Sequence, residues 1–185
     1  MRQILGHEFE VHDLTAHPEV PATVESGMTF AENAILKAMA ASTKLPGFVI
    51  ADDSGLEVEA LGGAPGIYSA RYSGEDASDE DNLNKLLGEL AGIGANSRER
   101  GAQFRCVLAL GRDGILINTF EGIIKGAIVE SPRGSKGFGY DPVFLPTGFD
   151  QTFGELPDDA KNQISHRAKA ARKLAQFVST ARRSE

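Results

Sequence analysis

A single cysteine, Cys106, stands among the 185 residues, so no disulfide can close within the chain. It falls in the apolar stretch Phe104 to Leu110, where a thiol is expected to be packed and unreactive. Nowhere do eighteen apolar residues follow one another, so the sequence predicts no membrane-spanning helix. Met1 to Glu10 lacks the basic stretch and apolar run of a secretory leader. Positive charge is also scarce: 19 basic against 26 acidic residues give a net charge of -7, which argues against broad attachment to a nucleic acid backbone. A few well-placed cations could still hold a small phosphorylated ligand. The expectation is a soluble protein of a reducing cytoplasm, with no nucleic acid or membrane partner, forming one domain over residues 1–185.

Several catalytic signatures are missing as well. Residues 133–142 carry glycines and cations but match neither the Walker pattern nor a dinucleotide-binding fingerprint. Ser54 has no Gly-x-Ser-x-Gly elbow around it, which argues against a serine hydrolase built with His166. His7, His12 and His17 lack zinc spacing and are read as surface residues.

What is present is an alternation of helix and strand signals. Met1 to Leu5 resembles the last turn of an amphipathic helix with Gly6 as its stop, and Glu8 to Leu14 alternates like a short strand. Thr29 and Glu32 form a capping-box pattern ahead of a helix to about Thr43. Phe48 to Ala51 reads as a buried strand ending at the run Asp52, Asp53, Ser54, Gly55, with Leu56 to Leu61 extended. Gly62 to Gly74 reads as loop, and Ser78 caps an acidic first turn ahead of a helix to about Ala91. Gln103 to Leu110 and Ile115 to Ile124 flank the turn signal Arg112, Asp113, Gly114. Ser131 to Pro142 reads as loop, and a last helix runs from about Ser165 to Arg182 with Ala168, Ala171, Ala175 and Val178 on its apolar face. The fold class is α/β with a mixed sheet.

Four segments could carry chemistry. Asp52, Asp53 and Glu25 offer hard oxygen ligands suited to Mg²⁺, although Asp-Asp-Ser-Gly is also ordinary turn chemistry. Lys37 lies on a small-residue helix face, either approaching a ligand or snorkelling into solvent. The loop holding Lys136, Phe138, Gly139, Tyr140 and Asp141 brings together groups that could approach, stack on and hydrogen-bond a base or sugar. Ser165, His166 and Arg167 open the last helix, where free N–H groups favour an anionic or carbonyl-bearing ligand and Ser165 is equally a cap.

Together, and in this order, Gly27 to Lys37, Ala51 to Leu56, Leu61 to Tyr72, Gly137 to Pro142 and Ser165 to Arg167 resemble the inosine/xanthosine triphosphate pyrophosphatase family. Its members cut purine nucleoside triphosphates with non-standard bases to the monophosphate and pyrophosphate. The resemblance implies an elongated mixed β-sheet flanked by helices, a homodimer and dependence on Mg²⁺. It implies that Glu25 and Asp53 hold the metal, that Asp53 activates water, and that Lys37 and Asp52 support the phosphates and metal. The division of ligand and base roles between Asp52 and Asp53 stays open. Phe138, Gly139 and Tyr140 would lie near the purine, Ser54 and Asp141 on polar substrate groups, Lys161 nearby, and His166 with Arg167 at the 6-position. A donor there pairs with a 6-oxo group and rejects the amino group of adenine. Family members open with a strand and a Thr/Ser-x-Asn-x-x-Lys loop that this chain lacks. The expectation is therefore an N-terminally incomplete chain, whose alternative is a catalytically impaired nucleotide-binding homologue.

Overall fold

The computed structural model describes residues 10–18 and 20–182. The expected helix end at Met1 to Gly6 lies outside them, as do His7 and the first two residues of the expected strand Glu8 to Leu14. Four helices and four strands follow in the described residues: α1 (Phe30–Ser42), β1 (Val49–Val58), α2 (Asp79–Gly92), β2 (Gly101–Arg112), β3 (Ile115–Ile128), β4 (Phe144–Pro146), α3 (Asp158–Ile164) and α4 (His166–Arg182). The strands form one sheet in the order β1-β2-β3-β4. The α/β class is as expected. β2 and β3 are joined by a turn in which Asp113 and Gly114 have φ of 53° and 75°, the conformation that a two-residue hairpin requires. β4 pairs antiparallel with the end of β3, Gly126 opposite Pro146 and Ile128 opposite Phe144.

Two helix starts follow from their caps. The Thr29 hydroxyl accepts from the Glu32 N–H at 3.1 Å, while Glu32 reaches back to the Met28 N–H at 2.6 Å, one residue beyond the reciprocal partner of a capping box. At α2 the box is complete: Ser78 accepts from the Asp81 N–H, and Asp81 accepts from the Ser78 N–H. Each such cap contributes about 1 kcal/mol.

Four expectations about elements are corrected. Glu10 to Asp13 is not strand, and Leu14–Ala16 is a 3₁₀ turn in which the Asp13 carboxylate takes the Thr15 N–H, a local bond that competes with strand pairing. β1 does not end at Asp52 but passes straight through Asp52, Asp53 and Ser54, because burial of Leu56 and Val58 beyond them outweighs local turn preference. It stops at Val58, so Glu59–Leu61 is a 3₁₀ turn instead of extended chain, and a third 3₁₀ segment, Gly66–Arg71, occupies the expected loop. The last helix, by contrast, starts as expected at His166, with Ser165 extended (φ -62°, ψ 160°) in the cap position between α3 and α4.

The chain divides into two compact units. The first draws on residues up to Asp53, on Cys106–Gly122 and on the chain from His166 onward; the second comprises Ser54–Arg105 and Ile123–Ser165. In the first, the apolar face of α4 (Ala170, Ala171, Leu174, Val178) packs on Cys106, Leu108, Leu110 and Phe120 of the β2–β3 hairpin. α1 is tied to the same hairpin where the Ser42 hydroxyl accepts from the Gly114 N–H at 3.1 Å. In the second, Leu83, Leu86 and Leu90 of α2 meet Leu56, Val58, Phe104 and Ile128, with Phe144 and Phe153 in the same cluster. Truncating one of the fully buried leucines, Leu56 or Leu86, to alanine costs about 2–5 kcal/mol.

Candidate active site

In the first unit, α1 and β1 bring three of the expected residues together. Lys37, on the second turn of α1, places its ammonium 2.6 Å from Asp53 Oδ1 and 2.9 Å from Glu25 Oε1. Glu25 is carried by the segment before the helix, and that segment is fixed by the Asn33 side chain, whose Oδ1 accepts the Gly27 N–H at 2.8 Å. Asn33 is fully buried, and its nearby amide lowers the Asp53 pKa. Sequence reasoning missed its part, although it sits inside the Thr29 to Lys37 motif.

The electrostatic influences within the triad oppose one another. Burial pushes the Asp53 carboxyl above its usual range, and the negative charge of Glu25 adds to this, while the Lys37 ammonium and Asn33 pull the other way. For Lys37, burial disfavours the ammonium, but hydrogen bonds and charge from Asp53 and Glu25 outweigh it, so its pKa is raised. Lys37 is therefore not a solvated lysine on a half-exposed face. Two carboxylates converge on one cation, which is the direct observation that this pair accommodates positive charge. Among the described residues no cluster of three or more His, Cys, Asp or Glu side chains suits a metal. Two oxygen donors fit Mg²⁺, which usually takes one or two carboxylates and fills its remaining positions with water and substrate phosphate.

Asp52 makes different contacts. Successive residues of a strand face opposite sides, and the Asp52 carboxylate meets Arg167 of α4, with Nε to Oδ2 at 3.0 Å and Nη2 to Oδ1 at 3.3 Å. This is a two-point, charge-assisted contact. The Cys106 thiol, fully buried as expected, lies 3.4 Å from the same Oδ2. That neighbour was missed, since only the fold joins positions 54 residues apart. The start of α4 is seated directly on β3. A Cβ at Gly122 would fall on the His166 carbonyl oxygen and 2.6 Å from the Ala170 nitrogen, so only glycine fits. His166 is buried and Arg167 partly exposed.

The second unit holds the other expected residues. Ser54 is half-buried on β1. The loop ahead of β4 is wrapped around Asp141, which is 3% exposed, accepts the Phe138 N–H at 2.8 Å and forms an ion pair with Lys161 of α3. Gly137 has φ of 77°, and a Cβ there would collide with the Asp141 carboxylate and come within 3.0 Å of Lys161 Nζ. Lys161 also lies over the Phe138 ring, 4.7 Å from its centroid. The Gly139 N–H donates to Asp79 at 2.7 Å. The two aromatics of this loop differ: Phe138 is 59% exposed, whereas Tyr140 is 4% exposed within the core. The Tyr140 hydroxyl donates to the Ser69 carbonyl at 2.9 Å, and burial holds it well above the ordinary phenol range. Phe138 is the open ring, and Tyr140 a support.

Fold and site define an α/β protein with paired carboxylates gathered on one lysine. The chain belongs to the Ham1 family, whose profile matches residues 1–177. It is 49% identical over 173 residues to a dITP/XTP pyrophosphatase of Bacillus licheniformis, covering 94% of this chain and 87% of that one. It is 51% identical over 154 residues to the Bacillus subtilis protein of the same name, covering 83% and 77%. The solved structure of the Staphylococcus aureus Ham1 protein superposes with a TM-score of 0.86 at 42% identity, covering 97% of this chain and 91% of that chain.

Proposed function

We propose that this chain hydrolyses purine nucleoside triphosphates with non-standard bases (inosine, deoxyinosine and xanthosine triphosphates) to the monophosphate and pyrophosphate. The observation that carries the reading is the Lys37 ammonium held between Glu25 and Asp53 at 2.9 and 2.6 Å. The names of the relatives supply the substrate class.

Glu25 and Asp53 would hold Mg²⁺, which when bound offsets the charge of the triphosphate. Water attacks the α-phosphorus in line; the new P–O bond forms as the bond to the bridging oxygen breaks, and pyrophosphate departs with that oxygen. Asp53 accepts the proton of the water. Lys37 fixes the Asp53 carboxylate and neutralises part of the phosphate charge. Phe138 offers its open face to the base; Gly139 and Asp141 of the same loop, with Lys161 paired to Asp141 and Tyr140 buried in the core, and Ser54 on β1 offer the polar groups. Arg167 and His166 meet the 6-oxo group. The same reading takes the chain as one catalytic domain, a cytoplasmic homodimer, which light scattering of the purified protein checks.

The test is product analysis. Inosine triphosphate with Mg²⁺ is expected to give monophosphate and pyrophosphate, and adenosine triphosphate to remain largely intact. Asp53→Asn should lower kcat by at least about a hundredfold, the lower end of what a positioned base contributes, while the circular dichroism spectrum is retained. Release of inorganic phosphate in place of pyrophosphate, or full activity in Asp53→Asn, refutes the assignment.

A further inference from the structure

We infer that Asp52 is a positioning residue for base selection, acting through Arg167, and does not share the phosphate and metal work of Asp53. The inference rests on the proposed activity and divides the two adjacent carboxylates between two tasks.

Three observations carry it. First, the pleat of β1 separates the side chains: Asp53 engages Lys37, whereas Asp52 engages Arg167. Second, the Asp52 contact to Arg167 has two points, Nε at 3.0 Å and Nη2 at 3.3 Å, on the two oxygens of one carboxylate. A guanidinium held at both positions has its plane fixed, so the direction of its remaining donors is fixed too. Third, the carboxylate is itself anchored, because the buried Cys106 sulfur lies 3.4 Å from Oδ2. The helix carrying Arg167 has no slack either, since its first turn rests on Gly122 without room for a methyl group. A donor that discriminates a 6-oxo from a 6-amino group must be aimed to within a few tenths of an ångström. Asp52 and the seat on Gly122 supply that aim from two directions.

The test compares kcat and KM for inosine and adenosine triphosphates in wild type, Asp52→Asn, Arg167→Ala and the double variant. Asp52→Asn keeps one acceptor but loses the charge and one of the two bonds. Its inosine-over-adenosine ratio of kcat/KM is expected to fall roughly tenfold, the scale of one good two-point contact, with kcat for inosine triphosphate falling by a smaller factor. In the Arg167→Ala background the same change should leave the ratio within about twofold. A larger fall in kcat with an unchanged ratio overturns the inference, as does an undiminished effect in the double variant. Should Asp52→Asn fail to fold, Asp52→Glu carries the same comparison, since it keeps the charge and displaces it by one methylene. The wild-type product assay separates this claim from the activity itself. If wild type releases no pyrophosphate, the activity is refuted, and selectivity is read from calorimetric binding of the two nucleotides. An unchanged binding ratio in Asp52→Asn then overturns the role given to Asp52.

Discussion

Replacing Gly122 by alanine places a methyl group where β3 and the first turn of α4 already touch. The added carbon would fall on the His166 carbonyl oxygen and lie 2.6 Å from the Ala170 nitrogen. Ordinary heavy-atom contacts lie at about 3.5–4 Å against 2.1 and 2.6 Å here, so the helix start has to retreat by roughly 1–1.5 Å. Both contacts are to backbone, and no side-chain rotation relieves them. Overpacking of this kind costs about 1–3 kcal/mol. In a chain of 185 residues each kcal/mol lowers Tm by about 3 °C, which gives a fall of roughly 3–9 °C. The same retreat stretches the Arg167 bonds to Asp52, now 3.0 and 3.3 Å, beyond hydrogen-bond range. Differential scanning fluorimetry measures the first effect, and the inosine-over-adenosine ratio of kcat/KM measures the second. A Tm within 1 °C of wild type, together with an unchanged ratio, refutes the seating of α4 on Gly122; this threshold is about a third of a kcal/mol.

Gly88 makes the opposite case, because a Cβ there meets nothing within 4 Å in the interior of α2; Gly88→Ala should raise stability by about 0.5–1 kcal/mol in urea denaturation. Ser78→Ala removes one arm of the α2 capping box and should lower stability by about 1 kcal/mol in the same assay. Lys37→Met leaves Glu25 and Asp53 facing each other without their shared ammonium. Asp53 is already raised by burial and then loses its main opposing influence, so its folded pKa rises further above the unfolded one. The ionised form is the penalised one, and metal-free Lys37→Met should lose stability relative to wild type as pH rises from the ordinary carboxylate value through the folded one, read as a Tm difference that widens with pH. Wild-type Lys37 has the opposite sign of effect: its raised pKa contributes stability in full below about pH 10.4, lost as pH rises through the folded value. A Tm difference between variant and wild type that stays flat from about pH 3 to pH 8 refutes the coupling of Lys37 to Asp53.

Much of the fold is legible wherever a local signal and the packing agree. Thr29 and Ser78 announce α1 and α2 through side-chain caps, Asp113 with Gly114 announces the hairpin, and the alanine face of α4 is the face that packs. Three features were not legible. The run Asp52 to Gly55 has the composition of a turn, and only the burial of Leu56 and Val58 keeps it in a strand. β4 has three residues, too few for a period, and α3 follows Pro157 with no side-chain cap to mark its start. At the site, Glu25, Asp52 and Asp53 could be grouped because their carboxylates suit one cation, whereas Lys37 joined them only through the family resemblance. The contact of Asp52 with Arg167 spans 115 positions in sequence and joins two residues assigned separate tasks, so no local pattern contains it.

The pleat of β1 makes position along the strand as consequential as residue identity. Adding one residue ahead of Asp52 in β1 would leave every side chain in the chain's composition yet exchange the sides of the two carboxylates. Asp52 would then take the place that faces Lys37, the inserted residue the place that faces Arg167, and Asp53 the place of Ser54. Such a shift is silent to any inventory of charged residues, and it would disconnect the reader of the base from its anchor. For this protein a one-residue insertion in a ten-residue strand is a more damaging change than many substitutions within it.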